Sequence, residues 1–257
     1  QAVAASGLTH ISGWRDRPPA QPFGAYVDFI APRLLLLAVT AALYHRKKTG
    51  LGLYIENSQI ESAMQVIAPV IMDYAVNGRE AERMGNSCPY AAPHGCYPCK
   101  GEDRWCTIAV FDDTEWNAFC KVVDQDWTRD TRFATLQGRK ENEDELNTLV
   151  ASWTIGFTAE QVMMILQASG VSAGVVQNSK DIFSDPQLSR RPCMVRLVHP
   201  ELGAYYADTT GFKLSNTPGT PRLPYPCLGE HNAYFYIEVL GLNDEEFVSL
   251  LSEGVFQ

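Results

Sequence analysis

The amino-acid sequence predicts an α/β fold, in which helices and short strands share one chain of 257 residues. Three observations support this prediction. A long apolar stretch at residues 32–47 has the proline and glycine boundaries of a helix. Residues 90–178 follow a β-β-α-α-α-β order, which is typical of a small α+β domain. Beyond residue 181, short strand patterns alternate with proline-rich loops.

The first part of the chain predicts a loop followed by a long helix. Residues 14–24 are rich in proline, arginine and glycine and are predicted to form the loop. We expect the helix over residues 32–47, because Pro32 suits a first helical turn and Gly50 follows the last one. Its apolar run, residues 34–44, is too short to span a bilayer. We therefore expect a helix buried in a protein core and no membrane partner.

A strand and a second helix are predicted next. Residues 53–57 alternate between apolar and polar side chains, which indicates a strand. Ser58 then precedes a helical pattern, and Glu61 stands three positions later, as in a capping box. The pattern continues to Met72, and Pro69 predicts a bend within it.

The middle of the chain predicts the small α+β domain. Residues 80–98 lack periodicity, and long irregular stretches of this kind are often functional. A hairpin turn is expected at residues 100–103, and Thr158 with Gln161 predicts a helix start. The predicted elements are strands at 97–99 and 105–110, helices at 113–123, 142–152 and 158–169, and a strand at 171–176.

The last part of the chain predicts two strands and two helices. The strands are expected at residues 195–198 and 205–207, and the helices at residues 231–240 and 244–253. Gly229-Glu230-His231 is interpreted as a turn that leads into the first of these helices.

Asp28 is the first candidate for chemistry. It lies in the segment Ala25-Tyr26-Val27-Asp28-Phe29-Ile30, where an apolar-flanked loop enters the long helix. Unpaired N–H groups and the positive dipole end at a helix N-terminus favour a charged carboxylate. Such a carboxylate can cap the helix or attack an electrophile as a nucleophile. From Asp28 alone, the capping role is favoured, because aspartate is among the commonest N-cap residues.

The cysteines predict reduced thiols rather than a metal site. The chain has seven cysteines and no secretory signal pattern, which indicates a reducing compartment. We expect the cytoplasm, with mitochondria and peroxisomes left open. Cys96-x-x-Cys99, with His94 nearby, has the ligand types of a structural zinc site. No second such pair follows, and Cys99 and Cys106 flank the predicted hairpin, so we expect core thiols and no metal.

The overall charge limits the classes of partner. The chain has 21 basic and 30 acidic residues, for a net charge of −9, and no basic stripe. This composition argues against a nucleic-acid partner. An anionic ligand would have to be bound by local cations and helix N-termini.

Four stretches, taken together in chain order, resemble the class III CoA-transferases, a family that includes the 2-methylacyl-CoA racemases. The stretches are Asp28 with the apolar helix ending near His45-Arg46-Lys47-Lys48; Arg83-Met84-Gly85-Asn86 with residues 92–99; residues 181–187; and residues 214–218 with 228–232. They cover nearly the whole chain. Each stretch is weak by itself, and the shared order makes the match specific.

The resemblance implies a Rossmann-like large domain plus a small α+β domain, in an interlocked homodimer. By this comparison, residues 1–80 are the remainder of the large domain with the catalytic aspartate, residues 81–180 are the small domain, and residues 181–257 return to the large domain. The resemblance also implies that the chain is the C-terminal part of a longer polypeptide. The N-terminal, CoA-binding half would precede Gln1 or come from a companion chain.

The resemblance implies that coenzyme A moves from an acyl-CoA to a free carboxylic acid. Asp28 matches the catalytic carboxylate, which forms a covalent aspartyl intermediate. His94 and Gly95 lie in the segment that matches the substrate-binding loop of the family, and Asn86 and Tyr26 would orient the substrate. Coenzyme A and its acyl thioester are substrates here, and no metal is implied.

The sequence also departs from the family pattern. Many relatives have small residues after the aspartate, where this chain has Ile30-Ala31-Pro32-Arg33. The glycine-rich loop of formyl-CoA transferases is replaced by residues 87–95. The formyl and oxalate substrate pair is therefore not expected, and the pattern is more similar to transferases for larger acids, such as benzylsuccinate-type enzymes.

Two alternative functions stay open from the sequence. A 2-methylacyl-CoA racemase would use Asp28 as an acid or base, paired with a histidine upstream of Gln1. A non-catalytic subunit would keep the fold and contribute only an interface. His45-Arg46 is interpreted as structural, because cations near a helix C-terminus complement the helix dipole.

Overall fold

The computed structural model describes residues 1–191 and 193–256 and confirms a mixed α/β fold. The chain forms two compact units, Gln1–Val176 and Gln177–Gln257. The predicted division at residues 80 and 180 into a large domain, a small domain and a return segment stays a prediction.

Five helices form the first part of the first unit. They are α1 (Ala2–Ala5), α2 (Leu8–Ile11), α3 (Tyr26–Thr49), α4 (Gln59–Val66) and α5 (Ala68–Asn77). A small core of five residues joins them: Val3, Leu8, Val27, Ala63 and Ile67. The predicted loop at residues 14–24 is confirmed, whereas the predicted strand at residues 53–57 is wrong. This segment has no partner strand in the described chain, and alternation without pairing does not make a strand.

Helix α3 is longer and more exposed than expected. It begins six residues before Pro32, which therefore lies inside the helix, and it ends at Gly50 with a positive φ of 77°, as predicted. The expectation of a buried helix is wrong for this chain, because Leu36 and Leu37 are 66% and 68% exposed. By length and composition alone, α3 is long and apolar enough to cross a membrane, with a mean hydropathy of 1.7 and 11% of its apolar window buried.

Helices α4 and α5 are separate elements rather than one bent helix. The Ser58 hydroxyl accepts a hydrogen bond from the Glu61 N–H group at 3.3 Å, so the predicted cap is present. The helix breaks at Ile67, before Pro69 rather than at it. Pro69 lies in the first turn of α5, where its missing N–H group removes no helical hydrogen bond.

A three-stranded antiparallel sheet and four helices form the rest of the first unit. The strands are β1 (His94–Pro98), β2 (Trp105–Ala109) and β3 (Ser172–Val175), in the order β1-β2-β3. The helices are α6 (Asp113–Val123), α7 (Leu136–Glu141), α8 (Glu143–Thr154) and α9 (Ala159–Ala168). The predicted hairpin, the helices at 113–123, 142–152 and 158–169 and the Thr158–Gln161 capping box are confirmed. The first strand begins three residues earlier than expected, so His94 is a strand residue and not a loop residue.

Aromatic and aliphatic side chains fill the space between this sheet and its helices. Trp116, Phe119 and Phe133 are buried, and the Trp116 ring contacts both phenylalanine rings. The thiols of Cys99 and Cys106 lie in the same core. These two thiols are free, as expected for core cysteines. Burial raises the pKa of both thiols, which keeps them protonated and unreactive.

The second unit contains a two-stranded sheet and short helices. Its elements are α10 (Ser179–Ser184), α11 (Pro186–Arg190), β4 (Met194–His199), β5 (Gly203–Asp208), a π-helix (Tyr234–Val239) and α12 (Asp244–Ser252). The two predicted strands and the last predicted helix are confirmed. The helix predicted at residues 231–240 is shorter and has π geometry.

Candidate functional site

Asp28 lies in the first turn of α3 and does not cap the helix. Ala25 is the N-cap residue, and the Asp28 N–H group donates to the Ala25 carbonyl at 2.9 Å. The Asp28 side chain instead accepts a hydrogen bond from the Gln59 amide, at 2.6 Å. The carboxylate is exposed rather than enclosed by apolar neighbours, so within this chain it is open to solvent.

Gln59 is held in place by the segment that returns from α3 to α4. The Asn57 amide donates to the Ala31 carbonyl at 3.4 Å, and the Ser62 hydroxyl donates to the Asn57 side chain at 3.2 Å. These bonds fix the start of α4 against the start of α3. Gln59, the first residue of α4, is therefore presented to Asp28, although it is 31 positions away in sequence.

A second group of candidate residues lines a cleft at the start of β1. Asn86, Ser87, His94, Gly95 and Cys96 are shared by two adjoining cavities of about 560 and 760 Å³. The smaller cavity continues along β2 and β3, and the larger one reaches the loop at residues 14–16 and the side of α8. Together these cavities have the size of a small-molecule site.

The geometry of His94 fixes its tautomer. Its Nδ1 atom lies 2.6 Å from the Asn86 carbonyl oxygen. Because a carbonyl oxygen only accepts hydrogen bonds, Nδ1 carries a proton and donates it to this bond. The other nitrogen, Nε2, accepts a hydrogen bond when the ring is neutral and donates one when the ring is charged. The Phe111 ring contacts the imidazole edge-on, with centroids 6.3 Å apart.

The loop before the cleft is packed against residues 13–14. The Gly85 N–H group donates to the Gly13 carbonyl at 2.8 Å, and Gly85 has a positive φ of 58°. A side chain at Gly85 would collide with the ring of Trp14, which packs directly on its backbone. Glycine is thus required here for both its conformation and the close approach.

A charged network anchors the other side of this loop. The Lys140 ammonium donates to the Glu143 carboxylate at 2.7 Å, to the Ser87 hydroxyl at 3.0 Å and to the Cys88 carbonyl at 2.8 Å. The Ser87 hydroxyl in turn donates to Glu143 at 2.9 Å. Sequence reasoning missed these residues. The three-residue spacing of Lys140 and Glu143 would have suggested a pair, but not its contact with Ser87.

Arg139 supports the segment immediately before His94. Its guanidinium group is fully buried and donates to the Ala92 carbonyl at 2.8 Å, to the Phe133 carbonyl at 3.2 Å and to the Asp113 carboxylate at 3.0 Å. It also lies over the Trp116 ring, 4.9 Å from the centroid. Arg139 therefore fixes the backbone from which β1 starts.

The structure brings together some of the predicted site residues and not others. Asn86, His94 and Gly95 line the same cleft. Tyr26 and Asp28 lie two residues apart in the first turn of α3, and neither lines this cleft in the described part of the chain. Their assignment to one active site stays a prediction.

Cys96 is the thiol that faces the cleft. Burial and the neighbouring Cys99 raise its pKa, so it is a poor nucleophile and a poor metal ligand at neutral pH. Among residues 1–191 and 193–256, no group of three or more histidine, cysteine, aspartate or glutamate side chains is arranged to bind a metal ion.

Comparison with known protein families gives one match that covers most of the chain. The sequence profile of CoA-transferase family III matches residues 1–232. This range includes α3 with Asp28, the cleft around His94 and most of the second unit.

Two curated relatives match almost the whole chain. The succinyl-CoA–D-citramalate CoA-transferase of Chloroflexus aurantiacus is 31% identical over 253 residues, which is 98% of this chain and 63% of that protein. The human succinyl-CoA:glutarate CoA-transferase is 26% identical over 255 residues, which is 99% of this chain and 58% of that protein. The chain thus spans about three fifths of the length of these relatives.

A solved structure agrees with the fold. A CaiB/BaiF family protein from Brucella suis superimposes with a TM-score of 0.81 at 25% identity, over 93% of this chain and 61% of that protein. The arrangement of helices and strands described above is therefore that of a known fold.

Proposed function

Because this chain belongs to CoA-transferase family III, we propose that the complete protein moves coenzyme A from an acyl-CoA to a free carboxylic acid. The observation that carries this proposal is the family match over residues 1–232, which includes an aspartate in the first turn of a long helix. Coenzyme A and its acyl thioester are substrates in this reaction, and its chemistry requires no metal.

Asp28 is the proposed nucleophile. One of its carboxylate oxygens attacks the thioester carbonyl, and the C–S bond breaks to give a mixed anhydride and the CoA thiolate. The thiolate then attacks the aspartyl carbonyl, which releases the donor acid and leaves an aspartyl-CoA thioester. The acceptor carboxylate displaces the thiolate from this thioester to form a second anhydride. Attack of the thiolate on the acceptor acyl group regenerates Asp28.

The environment of Asp28 supports this role. In the described chain, its side-chain hydrogen bond comes from Gln59, a neutral amide that orients the carboxylate without cancelling its charge. The first turn of α3 adds the positive end of a helix dipole, which attracts negatively charged groups. The exposed carboxylate must become shielded from water during the reaction, because acyl anhydrides hydrolyse.

His94 and the residues around it are proposed to bind the carboxylic acid. With Nδ1 committed to the Asn86 carbonyl, Nε2 donates to a carboxylate or an anhydride oxygen only when the ring is charged. Gly95 and Asn86 line the same cleft and are proposed to contact the substrate. Tyr26, in the same first turn of α3 as Asp28, is proposed to orient the acyl group.

A dicarboxylic acid is the proposed substrate class. The names of the two relatives pair succinyl-CoA with D-citramalate and with glutarate, all of which derive from acids with two carboxylates. Cavities of about 560 and 760 Å³ accommodate an acid of this size or a larger one.

Another polypeptide segment is proposed to complete the site. Tyr26 and Asp28 do not line the cleft of His94 within this chain, and α3 leaves most of its apolar surface exposed. The relatives are longer by more than a third of their length. The proposal is that the remainder of the complete protein, in an interlocked homodimer, supplies the coenzyme A contacts.

The first test is covalent trapping on the complete protein. After incubation with succinyl-CoA and quenching with hydroxylamine, peptide mapping is expected to find an adduct on the α3 peptide that carries Asp28. Asp28→Asn is expected to abolish the adduct and to lower transfer by at least about a thousandfold, because the nucleophile is lost. Asp73→Asn, at a partly exposed helical aspartate bonded to Arg79, is the matched control. This variant is expected to keep both the adduct on the Asp28 peptide and the transfer activity.

Other results would contradict the proposal in distinct ways. An unmodified Asp28, together with solvent deuterium exchange at the α-carbon of a 2-methylacyl-CoA, would indicate a racemase. Transfer activity that survives Asp28→Asn would exclude Asp28 as the nucleophile. If the complete protein shows neither transfer nor exchange, a non-catalytic subunit becomes the better account.

A further inference from the structure

The loop that carries Asn86 is held from both of its ends. On one side, Gly85 is fixed by the Gly13 carbonyl and the Trp14 ring. On the other side, Ser87 and Cys88 are bonded to Lys140. Asn86, whose carbonyl oxygen accepts the hydrogen bond from His94, lies between these two anchors.

All the hydrogen-bond donors of the Lys140 ammonium have partners. An ammonium group has three N–H donors, and this one has three partners: the Glu143 carboxylate, the Ser87 hydroxyl and the Cys88 carbonyl. Lys140 and Glu143 are only 23% and 17% exposed, so water competes weakly for these bonds. A satisfied and poorly hydrated network of this kind favours one geometry of the loop over others.

We propose that the Lys140–Glu143 pair is a positioning device for His94. By holding residues 86–88, the pair keeps the Asn86 carbonyl at Nδ1 and so directs Nε2 of His94 to the ligand. This inference rests on the proposed function, because it assumes that Nε2 of His94 binds the carboxylic acid. Lys140 and Glu143 act through Asn86 and do not line either cavity.

The consequence for His94 is a fixed division of roles between its two nitrogens. Loss of the anchor would let the Asn86 carbonyl move away, and the proton would then redistribute between Nδ1 and Nε2. A neutral ring with its proton on Nε2 would donate where it now accepts. The carboxylate would then be bound by a neutral donor whose ring the Asn86 carbonyl no longer orients, which is a weaker contact than that of the charged ring, although His94 itself would be intact.

The test is the tautomer of His94, measured by ¹⁵N–¹H correlation NMR on the complete protein labelled at histidine. The chain has five histidines, and His94→Asn identifies the signal. At alkaline pH, the unmodified protein is expected to show Nδ1 protonated. Lys140→Met, which keeps most of the unbranched side chain but removes the ammonium, is expected to lose this signature in favour of a mixture or the Nε2-protonated form.

Arg132→Met is the matched control. Arg132 also pairs with a glutamate in the first turn of α8, Glu145, at 2.8 Å, but this pair is on the surface and does not contact the loop. Its removal is expected to leave the His94 signals unchanged. If Lys140→Met does not fold, Ser87→Ala decides instead, because it deletes a single hydroxyl and is expected to shift the tautomer in the same direction by a smaller amount.

Two outcomes would overturn the inference. One is an unmodified protein in which Nε2 of His94 carries the proton. The other is a folded Lys140→Met or Ser87→Ala protein with the original tautomer. In transfer assays, Lys140→Met is expected to lower kcat more than it raises KM. A protein without transferase activity would refute the proposed function, while the NMR result would still decide whether Lys140 positions His94.

Discussion

The Asp28 carboxylate accepts its hydrogen bond from a neutral amide, that of Gln59, and the absence of a positive charge on this partner affects the reactivity of the carboxylate. A lysine or arginine at the position of Gln59 would stabilise the carboxylate as an ion pair and weaken it as a nucleophile. The Gln59 amide, 2.6 Å away, orients one oxygen and leaves the negative charge available. At the scale of single residues, the chain thus contains an oriented carboxylate at Asp28 and a histidine of fixed tautomer at His94.

The loss of Arg139 is expected to destabilise the first unit strongly. It is fully buried, and its removal would leave the Ala92 and Phe133 carbonyls without their donor. We expect Arg139→Met to lower the free energy of unfolding by about 3 kcal/mol, since each orphaned buried polar group costs about 1–3 kcal/mol. Urea unfolding followed by tryptophan fluorescence measures this change.

Arg129→Met provides the comparison for this prediction. Arg129 also bonds two carboxylates, those of Asp124 and Asp126, but its side chain is mostly exposed. Exposed ion pairs contribute little to stability, so the unfolding midpoint is expected to stay nearly constant. Equal effects of the two substitutions would show that the buried position of Arg139 is not what matters.

At the scale of elements, α11 should make the second unit sensitive to acid. Hydrogen bonds from the Leu188 N–H group, the Gln177 amide and the Gln187 N–H group hold the pKa of Asp185 below its usual value. A carboxyl group whose pKa is lowered by folding stabilises the fold above its ordinary pKa of 3.8, and this contribution is lost as the pH falls through the lowered value. We expect faster amide exchange in α11 as the pH falls below about 4.

Asp185→Asn tests this assignment. The amide oxygen still accepts hydrogen bonds from the helix start but does not titrate. Amide hydrogen exchange of residues 186–190 is compared between the two proteins from neutral to acid pH. The increase in exchange at acid pH is expected to be absent in the variant. The idea fails if both proteins show the same dependence on pH after correction for intrinsic exchange.

At the scale of the whole molecule, the apolar surface of α3 is largely uncovered within this chain. A helix that is apolar on all sides is normally covered by protein or lipid. Here Leu36 and Leu37 are exposed, and the relatives have additional chain length. We expect the surface of α3 to be covered in the complete protein, with slow amide exchange and no binding of hydrophobic dyes.

Placing a charged residue on α3 tests whether this surface is covered in the complete protein. Leu37→Glu is expected to destabilise the complete protein by about 2 kcal/mol or more, because a carboxylate would replace a buried leucine. Met164→Glu, at another strongly exposed apolar position of the described chain, is expected to have little effect. Equal tolerance of the two changes, in calorimetry of the complete protein, would mean that α3 stays exposed.

Local chemistry was the part of the fold that the sequence could predict. The helix at 113–123, the capping box at Thr158 and the glycine end of α3 all depend on residues close together in the chain. The strand expected at residues 53–57 failed because a strand needs a partner, which sequence alternation cannot provide. The predicted start of α3 is six residues late, because a proline typical of a first helical turn lies in the helix interior here, at Pro32.

The sequence by itself determined the family, the order of the elements from β1 to β3 and the candidates Asp28 and His94, because these depend on residue type and spacing. Only the tertiary structure decided their partners. Gln59 reaches Asp28 across 31 positions, and Lys140 reaches Ser87 across 53. Contacts between residues so far apart in sequence depend on how helices and strands pack, and a local sequence pattern does not predict them. The tautomer of His94 and the orientation of Asp28 therefore come from the fold.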